Sequence, residues 1–445
     1  MQKTILLALV GLFMGAAALA QGGGVKKTFP YEYKTGSLEN GLKYYIIPME
    51  SKGLVAYYSI VRTGSRDEWE PGRSGFAHFF EHMMFRGTKK RPQSVYDSTV
   101  ISLGADANAY TSDDITAYHL NFASEDLETV IDLESDRFQN LSYSENAFKT
   151  ESGAVYGEYR KGKTNPFFVL WEKLKETAFT EHTYSHTTIG YEKDIANMPN
   201  MYDYSLSFYK RYYRPENVVI VVAGDVNEGT LVPLLEKYYG NWEKGYTEPQ
   251  IKPEPEQTAP RTASVTYPGR SNPYIAIAYK NKAYNSKDRD YIATQLLGEL
   301  AFGSNSDLYK KLYLEEQKVQ YLGPSFSDNR DPFLNIVYAI VNSEEDIEYV
   351  RDQVYATVEK FKTEKVDEKQ LENLKKRIKY SFLMNLDTPD AVAGGMAKKV
   401  AITGGLEDVD IEFNTMSEVT ADDIMEAAQS LTENKRTTVI LKGAK

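Results

Sequence analysis

The chain contains no cysteine in its 445 residues. Disulfides, thiolate metal sites and a cysteine nucleophile are therefore excluded, and so is a lipid anchor on a cysteine after a leader. Histidine is nearly as scarce: five in the whole chain, at positions 78, 82, 119, 182 and 186. Beyond the first twenty residues no stretch reaches 18 consecutive apolar residues, the length a membrane-spanning helix needs. The expectation is a chain with no membrane span once the leader is removed. A basic surplus is missing too, since 52 Lys and Arg face 63 Asp and Glu for a net charge of −11. That balance speaks against a nucleic-acid partner. The acidic residues are spread along the chain and read as a solvated surface.

What is present begins with a leader. Lys3 supplies a positive start, Ile5 to Leu19 is uncharged and mostly apolar, and Ala18-Leu19-Ala20 is an A-x-A cleavage site before Gln21. Residues 1–20 thus read as a secretory signal peptide. A secreted chain without cysteine fits the bacterial periplasm. The length predicts two or more domains. Strands are expected at Leu42 to Ile47, Val55 to Arg62, Ile115 to Phe122 and Val218 to Ala223, and helices at Phe76 to Phe85, Leu127 to Leu141 and Ala147 to Arg160. Between Lys244 and Pro260 the chain reads KGYTEPQIKPEPEQTAP, with four prolines and no apolar periodicity. That is a semi-extended linker.

The second half repeats the rhythm of the first. Each half ends with a helix, Tyr202 to Tyr212 or Ala421 to Ser430, that leads into a strand, Val218 to Ala223 or Thr437 to Leu441. The fold class is α+β, with two homologous domains that each pack an antiparallel-rich sheet against helices. The expected order is a signal peptide (1–20), an N-terminal domain (28–243), a Pro-rich linker (244–262) and a C-terminal domain (263–445).

The stretch His78-Phe79-Phe80-Glu81-His82 carries the chemistry. On a helix, positions i and i+4 share a face, so His78 and His82 can present their rings to one ion. Glu81 borders that face and can reach a water there without being a ligand. This is the inverted zincin pattern H-x-x-E-H. A catalytic zinc takes three protein ligands and keeps one position open. With so few imidazoles left, a carboxylate is the better third ligand. The helix at Ala147 to Arg160 offers two, Glu151 and Glu158, about two turns apart on one face.

Several motifs together resemble the pitrilysin or insulinase (M16) family of zinc peptidases, which includes the mitochondrial processing peptidase. They are Gly64-Ser65-Arg66-Asp67-Glu68, GFAHFFEHMMFRGT (75–88), NAYTSDDITAY (108–118), ESGAVYGE (151–158), IGYEKDI (189–195) and FYKRYYRPENVVIVVAGDV (208–226). The second half matches loosely, chiefly at VTADDI (419–424). The resemblance implies one zinc per chain and an endopeptidase acting on unstructured peptides. It makes Glu81 the general base. The family places its third ligand on a Glu at a set distance past the second His, and the matching interval here, 158 − 82 = 76 residues, makes Glu158 that ligand by resemblance. Glu151 then becomes a group that orients a histidine ligand. Asn108 to Tyr118 corresponds to the family's substrate-binding edge strand, with Asn108 and Ala109 as the residues that bind peptide main chain.

One departure stands out. Active members also use an Arg and a Tyr spaced R-x6-Y from a second-half-type domain. The matching stretch here is LYKKLYLEEQKVQY (308–321), where Tyr313 occupies the Arg position and Tyr321 matches only with one residue inserted. No Arg lies between Arg289 and Arg330. A phenol has neither the charge nor the donor fork of a guanidinium. The implied partner is a homologous subunit that lacks H-x-x-E-H and supplies the Arg and Tyr. The alternatives are a self-sufficient homodimeric peptidase and a non-catalytic scaffold or peptide-binding subunit.

Overall fold

The structure is a computed structural model that describes residues 25–444. The proposed signal peptide lies outside the described residues. Two sheets organise the chain. The first holds β1 (Lys34–Ser37), β2 (Lys43–Pro48), β3 (Leu54–Val61), β4 (Asp106–Thr111), β5 (Thr116–Ala123) and β6 (Val218–Gly224). Their order is β1-β2-β6-β3-β5-β4. Only β2 and β6 run parallel. The run VVIVVAG of β6 is buried throughout, as expected of a central strand covered on both faces. In contrast β4 alternates exposed and half-buried residues, and it forms the edge.

The second sheet holds β7 (Arg261–Tyr267), β8 (Tyr274–Lys280), β9 (Val319–Phe326), β10 (Leu334–Val341) and β11 (Arg436–Gly443). Its order is β7-β11-β8-β10-β9, again with one parallel pair, β7 and β11. That sequence of strands and senses repeats β2-β6-β3-β5-β4. In each half the last strand, β6 or β11, inserts beside the first strand of this shared five-strand unit, β2 or β7, and runs parallel to it. The repeat is therefore topological and does not depend on sequence identity between the halves.

The two halves exchange helices. The helix Pro166–Ala178 of the first half lays Val169, Leu170 and Leu174 on the second sheet, against Ala276, Ala278, Val439 and Leu441. The helix Pro389–Thr403 of the second half lays Val392, Met396, Ala397 and Val400 on the first sheet, against Tyr58, Ile60, Val219 and Val221. Each sheet thus has its own helices on one face and a borrowed helix on the other. Both borrowed helices start the same way, with a capping side chain (Asn165, Thr388) followed by proline at the first turn. Gly394 sits mid-helix because a Cβ there would lie 2.7 Å from the Tyr58 hydroxyl.

The Pro-rich stretch has no regular structure as far as Pro260, but it is not loose. Glu254 accepts backbone N–H groups from Thr180, Glu181 and His182 of the first half at 2.9–3.2 Å. At its far end, Arg261 and Thr262, drawn into the linker on composition, pair with Thr437 and Thr438 as the start of β7. Further bonds cross between the halves. Asp331 meets Arg66 Nε at 2.5 Å and His182 Nε2 at 3.0 Å. Asn329 Nδ2 donates to Asp114 at 3.1 Å. Among the described residues no helix is long and apolar enough to cross a membrane.

Candidate metal and peptide site

The helix Phe76–Met83 carries the H-x-x-E-H residues. Its apolar face buries Phe76, Phe79, Phe80 and Met83, with Phe80 stacked on Phe208 at 5.2 Å. The opposite, half-buried face carries His78, Glu81 and His82. The helix begins at Gly75, whose φ of +92° suits glycine. A Cβ at Gly75 would lie 2.5 Å from the Ile189 carbonyl oxygen. Glu68 completes the start by accepting the N–H groups of Gly75 at 2.7 Å and Ala77 at 2.6 Å. Burial pushes this carboxyl well up, and those two N–H groups oppose the rise. A carboxylate at a helix N-terminus also meets the positive end of the helix dipole.

The helix Glu145–Gly162, capped by Ser144, brings both candidate carboxylates to this face. Glu158 Oε2 lies 3.5 Å from His78 Nε2 and 3.6 Å from His82 Nε2. All three donor atoms fall within 4.8 Å of one another. Glu151 is buried and takes a different place. Its Oε1 is 2.8 Å from His82 Nδ1, and its Oε2 accepts from Arg86. A carboxylate on Nδ1 fixes the proton there and leaves Nε2 with its lone pair facing Glu158. Burial, then the neighbouring His82, lowers the His78 pKa to about 4 and keeps that ring neutral. His78 Nδ1 is buried without a hydrogen-bond partner.

Glu81 stays outside the three-atom group. Its Oε2 accepts from Thr111 Oγ1 at 2.6 Å. Burial raises its pKa, opposed by that hydroxyl and by His82. A cleft of about 290 Å³ opens beside it, with Glu81, His82, Arg86, Asn108, Ala109 and Glu151 among its walls. The other histidines lie elsewhere. His119 stacks on Tyr58 at 4.7 Å, His182 bonds Asp331, and His186 Nδ1 faces the Thr187 carbonyl.

The segment Asn108 to Tyr118 is not a single strand. It is a hairpin: β4 ends at Thr111, a turn follows, and β5 runs back as an interior strand. Asn108 and Ala109 lie on the edge strand, and the Asn108 side-chain oxygen accepts the Ala109 N–H at 2.9 Å. In the second half, Tyr313 lies in a π-helical turn, Lys310–Glu315, stacked on Tyr309 at 4.8 Å. A π turn holds one residue more than the α-helical path. The sequence match to Tyr321 needs an insertion at this point. Tyr321 itself is exposed on the edge strand β9.

Residues 52–192 match the insulinase (peptidase family M16) family, and residues 202–378 match the peptidase M16 inactive domain. The zinc protease PqqE of Helicobacter pylori is 30% identical over 424 residues, which span 92% of this chain and 93% of that protein. The chain belongs to the M16 family. The beta subunit of the mitochondrial-processing peptidase of Saccharomyces cerevisiae is 24% identical across 92% of this chain and 91% of that one. Among solved structures, a protease from Helicobacter pylori superposes with a TM-score of 0.87 at 27% identity, covering 93% of this chain and 99% of that one. Every residue of the His–His–Glu group lies ahead of residues 202–378, the stretch that matches the domain described as inactive.

Proposed function

We propose that this chain is a zinc-dependent endopeptidase of unstructured peptides, with zinc held by His78, His82 and Glu158 and with Glu81 as general base. The observation that carries the reading is the spacing of the Nε2 atoms from Glu158 Oε2, 3.5 and 3.6 Å, with Glu81 beside them and outside the set. Donors about 2.1 Å from a tetrahedral zinc lie about 3.4 Å from each other. The donor chemistry also fits, with two imidazoles and one carboxylate. One group of this composition exists among the described residues, which supports one zinc per chain.

Bound zinc supplies a more acidic water and stabilises charge on the scissile carbonyl. The rest falls to the chain's own residues. Glu81 accepts the proton of the attacking water and returns it to the leaving amine. Thr111 holds the Glu81 carboxylate toward the cleft. Glu151 holds the His82 ring by its Nδ1–H. The peptide lies along β4 as an added strand, main chain to main chain at Asn108 and Ala109. Only an extended chain can pair this way, so folded proteins are excluded as substrates.

The chain has no R-x6-Y pair at 308–321. That gap supports a heterodimer in which a homologous subunit lacking H-x-x-E-H supplies the Arg and Tyr. The A-x-A leader supports a secreted, periplasmic protein. The test is Glu81→Gln. The variant should bind zinc like the parent and lose turnover by about 10²–10⁴-fold. Near-normal turnover would remove Glu81 from its role, and loss of zinc would make it a ligand instead.

A further inference from the structure

One cation in the cleft has no part in the reading above. Arg86 closes the short turn Met84–Arg86 that follows the H-x-x-E-H helix. Its Nη2 donates to Glu151 Oε2, and its Nη1 donates to Gln93 Oε1 at 2.9 Å. Gln93 is the first residue of the helix Gln93–Ser102. The guanidinium thus joins three elements: the end of the H-x-x-E-H helix, the Glu151 helix and the helix that Gln93 opens. The backbone around it is fixed. Gly87, the next residue, has a φ of +85°, and a Cβ there would lie 2.3 Å from the Arg91 carbonyl oxygen. Thr88 Oγ1 donates to Asp136 at 2.7 Å and pins the loop to the helix Leu127–Asn140.

Glu151 therefore has both oxygens assigned, one to His82 Nδ1 and one to Arg86. The arrangement answers two physical problems. A buried carboxylate without a cation is costly. The terminal torsion of a glutamate is also broad and roughly two-fold, so a single bond to His82 would leave the carboxylate free to turn. A planar guanidinium can serve Glu151 and Gln93 at once, which a lysine ammonium at the same place could not match in geometry.

We propose that Arg86 is a positioning residue that locks Glu151, and through it the His82 ring, in the orientation that turns His82 Nε2 toward Glu158. It acts on the metal group and not on the peptide. The inference rests on the zinc-peptidase reading and adds a residue to it. A rival view makes Arg86–Glu151 an ion pair that only stabilises the fold. The two differ in what a second mutation does. If Arg86 acts through Glu151, its loss costs nothing further once Glu151 can no longer hold His82.

The experiment measures zinc affinity of the chain by competition with a chromogenic chelator, which needs no turnover, alongside the melting temperature of each apo variant. R86Q should weaken zinc by about ten- to hundredfold, the effect of losing an outer-shell partner. E151Q should do the same or more, and R86Q/E151Q should bind zinc like E151Q alone. R86K should recover part of the loss. With a cleavable peptide, R86Q should lower kcat and leave KM within about twofold, as for a group that does not touch substrate. Wild-type zinc affinity in R86Q would overturn the proposal. So would a double variant whose loss is the sum of the two single losses, or a fall in melting temperature with no change in zinc binding. Should R86Q fail to fold, R86K carries the test, since unchanged affinity there would equally overturn it. A wild-type chain that binds no zinc would sink the peptidase reading and this inference together. A zinc-binding parent with an unaffected R86Q would sink the inference alone.

Discussion

Glu81 and Thr111 meet across 30 residues of sequence, a helix residue against an edge-strand residue. A hydrogen bond to a charged group is worth about 1.5–3 kcal/mol. Thr111→Val should therefore lower kcat by about ten- to hundredfold and leave zinc affinity unchanged. A variant with parental kcat would show that the hydroxyl does not hold the base. His78, His82 and Glu81 share one helical turn, so a period of 3.6 residues was enough to group them. Glu158 needed the family's spacing, because helix periodicity alone left Glu151 and Glu158 equivalent. The structure separates them by depth, one buried on His82 Nδ1 and the other exposed before both Nε2 atoms. Thr111, Arg86 and Glu68 carry no local signature. Thr111 and Arg86 depend on packing between elements, and Glu68 reaches the helix from a separate short turn.

At the scale of elements, the exchanged helices decide how the molecule is held together. Leu174 of the first half is fully buried against the second sheet. Leu174→Ala should destabilise by about 2–5 kcal/mol. The exchange also predicts that both halves unfold in one cooperative step, and that Leu174→Ala lowers the single midpoint. Two resolved transitions in denaturant, only one of them moved by the mutation, would contradict that. These two helices were the least legible part of the fold. Pro389–Thr403 has Gly394 and Gly395 in its centre and little periodic contrast, and its partner is a sheet some 170–340 residues earlier in the chain. The strands β2, β3, β5, β6 and β11 and the helices Tyr202–Tyr212 and Ala421–Ser430 were legible because their patterns repeat within single segments, whereas β1, β7 and β9 were not legible. The edge strand β4 makes a separate prediction. A peptide N-methylated at alternate residues loses the N–H groups of one edge. In one register it should bind the Glu81→Gln chain at least about tenfold more weakly, and in the other nearly normally, because main-chain bonds carry affinity in strand addition. Equal binding of both registers would mean that the peptide does not lie along β4.

For the whole molecule, the contacts between the halves depend on ionised carboxylates. Burial would raise Glu254, yet the N–H groups of Glu181, Thr180 and His182, with Lys280 nearby, hold it at about 2 instead of 4.5. Burial would likewise raise Asp331, and His182 and Arg66 hold it below the usual range. A depressed carboxylate adds stability that is complete above its unfolded pKa and is lost as pH falls through the folded value. Stability should thus decline between pH 4.5 and about 2. Glu254→Gln should be less stable than the parent at pH 7 and lose less on acidification. Parallel stability curves for the two chains would show that Glu254 is not one of the groups responsible.

At the same scale lies the missing R-x6-Y pair. By the family resemblance that Arg and Tyr help hold the substrate carbonyl and the oxyanion; loss of one oxyanion donor costs about 10²–10³ in kcat, so the isolated chain should cleave slowly and a homologous subunit lacking H-x-x-E-H should restore the rate by a factor of that order. Full activity of the chain alone would remove the need for a partner. The central claim is tested most directly by titrating the purified chain with zinc after chelation and following cleavage of an unstructured, quenched-fluorescence peptide, alone and with that subunit. The account predicts that cleavage vanishes on chelation and returns in proportion to zinc, saturating at one ion per chain. Cleavage that survives complete removal of the metal, or a saturated chain and subunit that cleave nothing, would contradict it.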